Sequence, residues 1–478
     1  PDSPPNFKFV LDAFASKDTV KKESSLDLRI NSVLIRRGRM AYHVLSEEKT
    51  PGKFNAKHVR LQNIIANISL KALQNDSVNA SIKRLSVDEQ SGFELKKLSL
   101  KLVANDKEMS IDNFVIDLPN TSLKMDTIHL NYDSLGAFKQ FTNNVRFSFH
   151  TLPSHITLKD ISPFVPALSN FKEQIELDMD VNGTIDQLNC SKLEIKAGKQ
   201  FHLLGDVSLQ DLSHPQDAFV FGKMSNLSAN SAGIGFLVRN LSKNYNGVPP
   251  VLERLGDVSF HGEISGYFTD LVTYGLFHTD IGSGLGNVKT DLKLSSDKAK
   301  GLFAYSGSVK TKDFELGKLL NNEKLGEITF NLDVQGSHYE KQRPSIVLKG
   351  LVAAIEYSNY KYENITLDGE YKRGGFNGKA ALNDENATIA INGDINLTEK
   401  VPTFDFSASV SNFRPHELNL TPKYEDATFS VKVKANFKGG SIDQMIGNID
   451  IDSLQFTAPE KNFFMKNMHL SATQQTGI

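Results

Sequence analysis

Residues that commonly bind metals or act as nucleophiles are thinly spread in this chain. Its twelve histidines are scattered, and none lies in an H-E-x-x-H pattern. Cys190 is the single cysteine, so it can form neither an intrachain disulfide nor a C-x-x-C site. A polar-face or turn position is the expected role of the histidines on or beside predicted strands, which are His129, His150, His155 and His202. The sequence therefore predicts no enzyme, no catalytic residue, no metal and no cofactor.

The run Gly282-Ser283-Gly284-Leu285-Gly286 has the composition of a glycine-rich phosphate loop. Residues 287–292 alternate as a strand, so no helix follows whose N-terminus could hold a phosphate. We therefore predict a flexible turn between two strands for this run. The G-x-S-x-G pattern of a hydrolase nucleophile does not occur.

Two groups of charged residues could contact a ligand. Glu176, Asp178 and Asp180 lie on one face of a predicted strand, and neighbouring acids can do acid–base chemistry when one of them is buried. On the wet side of a strand such acids more often keep the sheet soluble. The cluster Arg36-Arg37-Gly38-Arg39 could meet lipid headgroups or phosphate, but a solvated loop is the prediction.

Strand patterns dominate the chain, and residues 393–456 illustrate them best. Apolar and polar residues alternate strictly from Ala427 to Lys438. A period of two places all apolar side chains on one face of a β-strand and all polar ones on the other. The same alternation recurs from residue 26 onwards. The sequence therefore predicts a mainly β protein whose strands each have an apolar face, which we call the dry face, and a polar, solvated face, which we call the wet face.

Composition limits the possible classes of protein. A length of 478 residues allows two to four compact domains or one large body built from a sheet. The formal charge of −2 gives no excess for binding nucleic acid. No apolar run of about 18 residues, signal peptide or initiator Met is present. We expect the chain to be a piece of a longer protein, with any membrane anchor or export signal lying outside it.

Three short segments break the alternation and predict helices, at residues 161–168, 232–240 and 251–255. They suggest a division of the chain into four parts. These parts are an N-terminal lead-in at 1–23, a first β-groove segment at 24–160, a second segment with short helices at 161–256, and a third β-groove segment at 257–478 that is truncated at its C-terminus.

One internal repeat stands out. Residues 205–227 and 393–413 share the order Gly-Asp-[Val/Ile]-x-Leu, then Phe-x-Phe, then Ser-Asn-[Leu/Phe]. A second pattern, Gly followed closely by Asp after a strand, is equally well explained by ordinary turn chemistry.

The dry faces can be buried in two ways. Sheets can close on each other as sandwiches or a barrel, with the faces forming an ordinary core. Alternatively, one long sheet can curl into a trough whose apolar lining is covered by a ligand with hydrocarbon chains. The alternation alone favours the closed core.

The repeated blocks change this balance, because they resemble the repeated strands of the TamB and AsmA-like proteins of the Gram-negative envelope. The opening unit at 30–42, which ends in Arg36-Arg37-Gly38 and Tyr42, and Ile161-Ser162-Pro163-Phe164 before a long strand are also similar to that family. The resemblance covers most of residues 24–475 as a style of repeat.

The resemblance implies an elongated, curled antiparallel sheet (a β-taco or repeating β-groove) with a few short helices. It implies a periplasmic location, an inner-membrane anchor outside this chain, and phospholipids as the transported ligand. It also implies transport from the inner to the outer membrane, a part in outer-membrane biogenesis, and an outer-membrane barrel protein as a partner. This chain has neither the anchor nor a recognisable partner-binding end.

Candidate residues for the lipid-groove lining are the dry faces of four strands. They are Ile175, Leu177, Met179, Val181, Ile328, Phe330, Leu332, Val334, Phe404, Phe406, Val410, Phe429, Val431, Val433 and Phe437. The alternative is a structural or adhesive all-β cell-surface protein with closed cores and no lipid. A third hypothesis is an enzyme whose site is built from residues distant in the sequence.

Overall fold

A single antiparallel sheet accounts for most of the protein, as the alternation predicts. The computed structural model describes residues 27–74, 77–214, 217–241, 248, 250–267, 270–291, 303–338, 345–372, 374–397, 401–440 and 444–473.

In the described ranges the sheet has 26 strands in chain order. The first half comprises β1 (Asp27–His43), β2 (His58–Gln74), β3 (Ser77–Glu89), β4 (Glu94–Ala104), β5 (Glu108–Asp117), β6 (Ser122–Asn131), β7 (Arg146–Thr151), β8 (Ser154–Ile156), β9 (Ile175–Thr184), β10 (Gln187–Ala197), β11 (Phe201–Gln210), β12 (Phe219–Ala229) and β13 (Val258–Tyr267). The second half comprises β14 (Asp270–Thr279), β15 (Gly282–Asp291), β16 (Phe303–Glu315), β17 (Leu325–His338), β18 (Ser345–Tyr357), β19 (Tyr360–Lys372), β20 (Gly375–Asp384), β21 (Ala387–Asn396), β22 (Thr403–Phe413), β23 (Thr428–Lys438), β24 (Ile446–Ala458), β25 (Lys461–Met465) and β26 (Met468–Ala472).

The strands follow one another as a meander in which each pairs with the next. β7 and β8 share one position between β6 and β9, and β25 and β26 share one position on β24. The 26 strands therefore occupy 24 positions. At about 4.8 Å per step, the sheet measures about 110 Å along the stacking direction. The prediction of an elongated, mainly β, antiparallel fold with few helices is confirmed.

Seven short helices interrupt the meander within the described part of the chain. The 3-10 helices are η1 (Leu135–Gln140), η2 (Leu158–Ile161) and η3 (Pro166–Asn170), and the α-helices are α1 (Phe141–Asn144), α2 (Ser231–Leu241), α3 (Pro250–Glu253) and α4 (Leu316–Leu320). The helices predicted at 232–240 and 251–255 are α2 and α3. At 161–168 the structure instead has parts of η2 and η3 joined by a turn at 162–165. Because Pro166 begins η3, the proline starts a new short helix rather than continuing one.

Most of these helices lie along one edge of the sheet, which we call the capped edge. It is the edge at which β1, β8, β12, β16 and β22 end. The loop 44–57 follows β1, η2 and η3 follow β8, α2 and α3 follow β12, α4 follows β16, and the segment 414–427 follows β22. Neighbouring caps touch each other. Phe54 donates its backbone N–H to the Pro163 carbonyl at 2.8 Å. Further along, the rings of Phe171 and Phe236 lie 6.2 Å apart, and Arg254 Nη1 donates to the Leu319 carbonyl at 2.9 Å. The caps therefore form a contacting series along this edge.

The repeated Ser-Asn-[Leu/Phe] motif marks the place where a strand bulges just before a cap. The register shifts at Ser225-Asn226 between β12 and β13 and at Ser411-Asn412 between β22 and β23. Asn412 has a φ of 51°, a left-handed conformation that Asn tolerates better than most residues. A third copy occurs at Asp313, with a φ of 48° and a register shift before α4. The sequence analysis missed this copy because Lys312-Asp313 replaces Ser-Asn there.

Two further predictions are wrong. The glycine-rich run at 282–286 is not a turn but the first half of β15, and it pairs with β14 along its whole length. The basic cluster at 36–39 is not a loop but lies inside β1. In both places the local composition resembles a loop while the hydrogen-bonded neighbour strand imposes an extended backbone.

Pairing runs across the predicted domain boundaries. β9 pairs with β7 and β8 across residue 161, and β12 pairs with β13 across residue 257. The lead-in at 1–23 lies outside the described residues. Within the described ranges, the divisions at 160/161 and 256/257 fall at caps and not at breaks in the sheet.

Glycines in mid-strand let neighbouring strands approach closely on the apolar side. Gly262 and Gly275 are direct partners. A Cβ added to Gly275 would lie 2.7 Å from the Gly262 Cα and 2.9 Å from Cε2 of Phe260, whose ring covers both glycines. Phe277 lies over Gly284 in the same way. At these positions aromatic rings thus fill the space of the side chains that the glycines lack.

We predict that Gly275→Ala loosens β13 and β14, because its methyl group would collide with backbone that cannot move without breaking the ladder. Gly286, the partner of Gly275 on β15, is the matched control, since its added Cβ would meet nothing closer than 3.8 Å. Hydrogen–deuterium exchange should show faster exchange of the β13–β14 amides in Gly275→Ala than in Gly286→Ala. Equal exchange in the two variants would contradict the close-approach explanation.

Candidate functional site: the apolar face of the sheet

Cross-strand register brings the apolar faces of the strands into continuous rows. One row steps from partner to partner through sixteen strands, β9 to β24, and we call it the central row. Its members are Leu177, Ile195, Leu203, Leu227, Phe260, Phe277, Gly284, Thr311, Phe330, Val352, Ile365, Leu382, Ile389, Val410, Val431 and Leu454. Fifteen steps of about 4.8 Å give this row a length of about 72 Å.

A second row lies beside the central row on the same face. It passes through Gly262, Gly275, Gly286, Val309, Leu332, Gly350, Leu367, Ala380, Ile391, Ala408, Val433 and Ile451. Neither row contains a charged residue. The apolar surface is therefore continuous between strands that are far apart in the sequence.

The candidate lining residues all lie on this face, and the central row unites four of them, Leu177, Phe330, Val410 and Val431. Leu332 and Val433 belong to the second row. Four of the fifteen candidates are buried, namely Ile175, Val181, Ile328 and Leu332. The other eleven are only partly buried, while the polar residues between them on the same strands are mostly exposed. Both the dry and the wet side of each strand are thus as the alternation predicts.

Full burial on this face is concentrated where a helix covers it. One cluster of buried residues consists of Ile281, Phe314, Ile328, Leu332 and Val352, and Leu316 and Leu319 of α4 pack against it. A second cluster, around Leu130 and Val145, is covered by η1 and α1. Between β20 and β24 no described helix covers the face, and most of its side chains stay partly exposed. The exceptions are Ala387 and Ala435, which are buried, and the ring of Tyr424 packs against Phe429 and Phe456.

Away from these clusters, much of the apolar face is only partly buried in the described ranges. In β22, for example, Phe404, Phe406, Ala408 and Val410 all remain partly exposed. Side chains in a closed sandwich core would be almost fully buried. A single large antiparallel sheet is compatible with both arrangements that the sequence leaves open, the closed core and the trough.

The opposite face is polar and carries the ion pairs. Lys349 and Asp368 lie 3.2 Å apart on adjacent strands. His150 Nδ1 lies 2.7 Å from Asp180 Oδ1, and this hydrogen bond holds the pKa of the Asp180 carboxyl below its ordinary value. The acidic strand face at Glu176, Asp178 and Asp180 is therefore an exposed, partly paired surface and not a buried acid–base pair.

His202 also lies on the polar face, beside a cavity of about 500 Å³. Its Nε2 is 2.9 Å from Glu194. Hydrogen bonds from Lys196 and then from His202 lower the pKa of the Glu194 carboxyl. These contacts place His202 in a network of polar side chains that joins adjacent strands.

The strongest effect on a titratable group is at the capped edge. Burial, followed by the hydrogen bond to Asp384, raises the pKa of Tyr360 to about 12. The Asp384 carboxylate also accepts the backbone N–H groups of Glu363 and Asn386, at 3.0 and 2.9 Å. This Asp384 network fastens the turn between β20 and β21 to β19, so its role is structural.

In the described part of the chain, no three His, Cys, Asp or Glu side chains are grouped closely enough to bind a metal ion. Cys190 is buried, and burial raises the pKa of its thiol. The longest described helix has 11 residues, and no described helix has the length and apolar composition needed to cross a membrane.

Sequence reasoning missed two kinds of residue on the apolar face. The glycines of the second row look like turn residues when the pairing of strands is unknown. Thr311 also lies in the central row and is buried, with only 4% of its surface exposed. Nothing in the sequence of its strand indicates this burial. Its hydroxyl has no hydrogen-bond partner among the described residues.

Comparisons with known proteins do not identify a family for this chain. No protein-family model matches the chain, and neither the curated proteins nor the solved structures yield a match.

We predict that Thr311→Val stabilises the protein by about 1 kcal/mol, because it removes a buried, unpaired hydroxyl while keeping the branched shape. Thermal unfolding should show a higher midpoint than in the parent protein. The exposed Thr366 provides the control, since Thr366→Val changes no buried group. A lower midpoint for Thr311→Val would mean that the hydroxyl has a partner in solution.

Proposed function

We propose that the apolar face of this sheet shelters the acyl chains of phospholipids. The observation that carries the proposal is the central row, an uncharged path that is apolar except at Thr311 and partly exposed over much of its length. The proposed role is that of a non-enzymatic segment of an envelope-spanning protein of the TamB and AsmA-like kind.

Physical chemistry favours a hydrocarbon ligand for such a surface. Moving one CH₂ group from water into apolar surroundings lowers the free energy by about 0.8 kcal/mol. A half-exposed apolar row therefore offers a favourable place for an acyl chain along its whole length. One leaflet of a bilayer has a hydrocarbon thickness of about 15 Å, so a row of about 72 Å is several times longer than one acyl chain.

Movement along the row needs no catalytic group. Neighbouring positions offer similar apolar contacts, so the free energy of a bound chain changes little from strand to strand. A difference in lipid concentration between the two ends then sets the direction. The proposal accordingly assigns the function to a surface and not to a catalytic constellation.

The sequence resemblance supplies the cellular setting of the proposal. In that setting the chain works in the periplasm, and its parent protein is anchored in the inner membrane. It carries phospholipids towards the outer membrane and takes part in outer-membrane biogenesis, with a barrel protein of that membrane as partner. The motifs at 205–227 and 393–413 support this setting.

The test is the amount of phospholipid that co-purifies with the protein, measured by native mass spectrometry and lipid extraction. Val431→Asp puts a charge into the central row at a half-exposed position, whereas the same change at the buried Leu332 would threaten the fold. We expect about tenfold less bound phospholipid for Val431→Asp, which corresponds to about 1.4 kcal/mol of lost binding free energy.

Lys432→Asp is the matched control, because Lys432 is the next residue of β23 and is exposed on the polar face. It should bind as much phospholipid as the parent protein. If folded Val431→Asp also keeps the parental amount, the lining assignment is wrong. If the parent protein purifies free of lipid and its copies associate through their apolar faces, the structural or adhesive alternative is favoured.

A further inference from the structure

The first edge of the sheet carries the basic cluster that the proposed function leaves unexplained. β1 pairs with β2 on one side, and no other described strand pairs with it. Arg36, Arg37 and Arg39 lie in the second half of β1 and are all exposed. Among the described residues, no carboxylate lies in ion-pair range of these three guanidinium groups. They therefore form a cluster of unneutralised cations on the strand at this end of the described sheet.

The charge of this end differs from that of the rest of the protein. Residues 27–60 contain eight Lys and Arg against three Asp and Glu, a formal charge of +5, although the whole chain has −2. The other end is different, since residues 446–473 contain two Lys against three Asp and Glu, a formal charge of −1. The sheet is thus electrically polarised along its stacking direction.

Exposed apolar side chains accompany these cations. Leu34 is 64% exposed, and Leu45, in the loop after β1, is 94% exposed. Met40 and Tyr42 are about half exposed on the same strand. Basic residues next to exposed Leu, Met and Tyr are typical of surfaces that bind at the bilayer interface, where cations meet headgroup phosphates and apolar groups enter the acyl boundary.

We propose that the β1 end of the sheet docks on the surface of a bilayer that contains anionic phospholipids. The positive charge of residues 27–60 complements the negative surface, and Leu45 enters the interface beside it. Docking of this kind would place the first strands of the apolar face next to a lipid reservoir. It does not depend on the proposed function, because a surface can dock whether or not the central row binds acyl chains.

Vesicle co-flotation of the full chain tests the proposal. One set of vesicles contains equal parts of phosphatidylglycerol and phosphatidylcholine, and the other contains phosphatidylcholine alone. We expect strong binding to the anionic vesicles at low salt, weaker binding at high salt, and little binding to the neutral vesicles. For the triple variant Arg36→Glu, Arg37→Glu, Arg39→Glu, the partition coefficient on anionic vesicles should fall about a hundredfold.

The matched control reverses three exposed cations on the polar face of β23, with Lys432→Glu, Lys434→Glu and Lys438→Glu. This control should bind far better than the arginine variant, although its net charge is equal. Val431→Asp should dock like the parent protein, which separates this proposal from the proposed function.

Three results would overturn the proposal. They are equal binding to neutral and anionic vesicles, equal losses in the arginine and lysine variants, and unchanged binding of the arginine variant. The last result, together with capture of an added extended peptide by the free β1 edge, would assign this edge to strand pairing instead.

Discussion

Register is the constraint on which every other feature of this protein depends. Because side chains alternate along a strand, a slip of one residue would turn a whole apolar set to the wet side. The partners Val410, Val431 and Leu454 meet only in the observed register, and the same is true at each step back to Leu177. The hydrogen bonds of the ladder therefore do more than join strands. They align short apolar stripes into one long surface.

Glycine and phenylalanine keep that surface continuous where the strands approach closely. At Gly262 and Gly275 a side chain on either strand would collide with the other, and the ring of Phe260 fills the space above both. Among the described residues, the two buried clusters lie where helices cover the face, as α4 does at Phe314 and Leu332. The apolar face is therefore partly core and partly open, and the open part is what makes a ligand with hydrocarbon chains a reasonable occupant.

The sequence predicts those features that depend on one strand at a time. Alternation from Ala427 to Lys438 is enough to identify the strand and its dry side, and α2 follows from the loss of alternation after Ala229. Features that depend on a partner are not visible. Gly282 to Gly286 and the cluster at Arg36 have the composition of loops, yet pairing makes both into strands. The central row joins residues up to 277 positions apart, from Leu177 to Leu454, and no local pattern encodes which strands will be neighbours.

The meander has a mechanical consequence. Among the described residues, each strand is hydrogen-bonded to its immediate neighbours in the sheet, so stability depends on pairwise contacts that are repeated along the sheet, as in a solenoid. A defect in β14 would weaken its neighbours far more than β23. The protein should then come apart by peeling from its ends or from a weak spot, with separate regions melting at separate temperatures. Such a body can gain or lose strand pairs in evolution while the remainder keeps its shape.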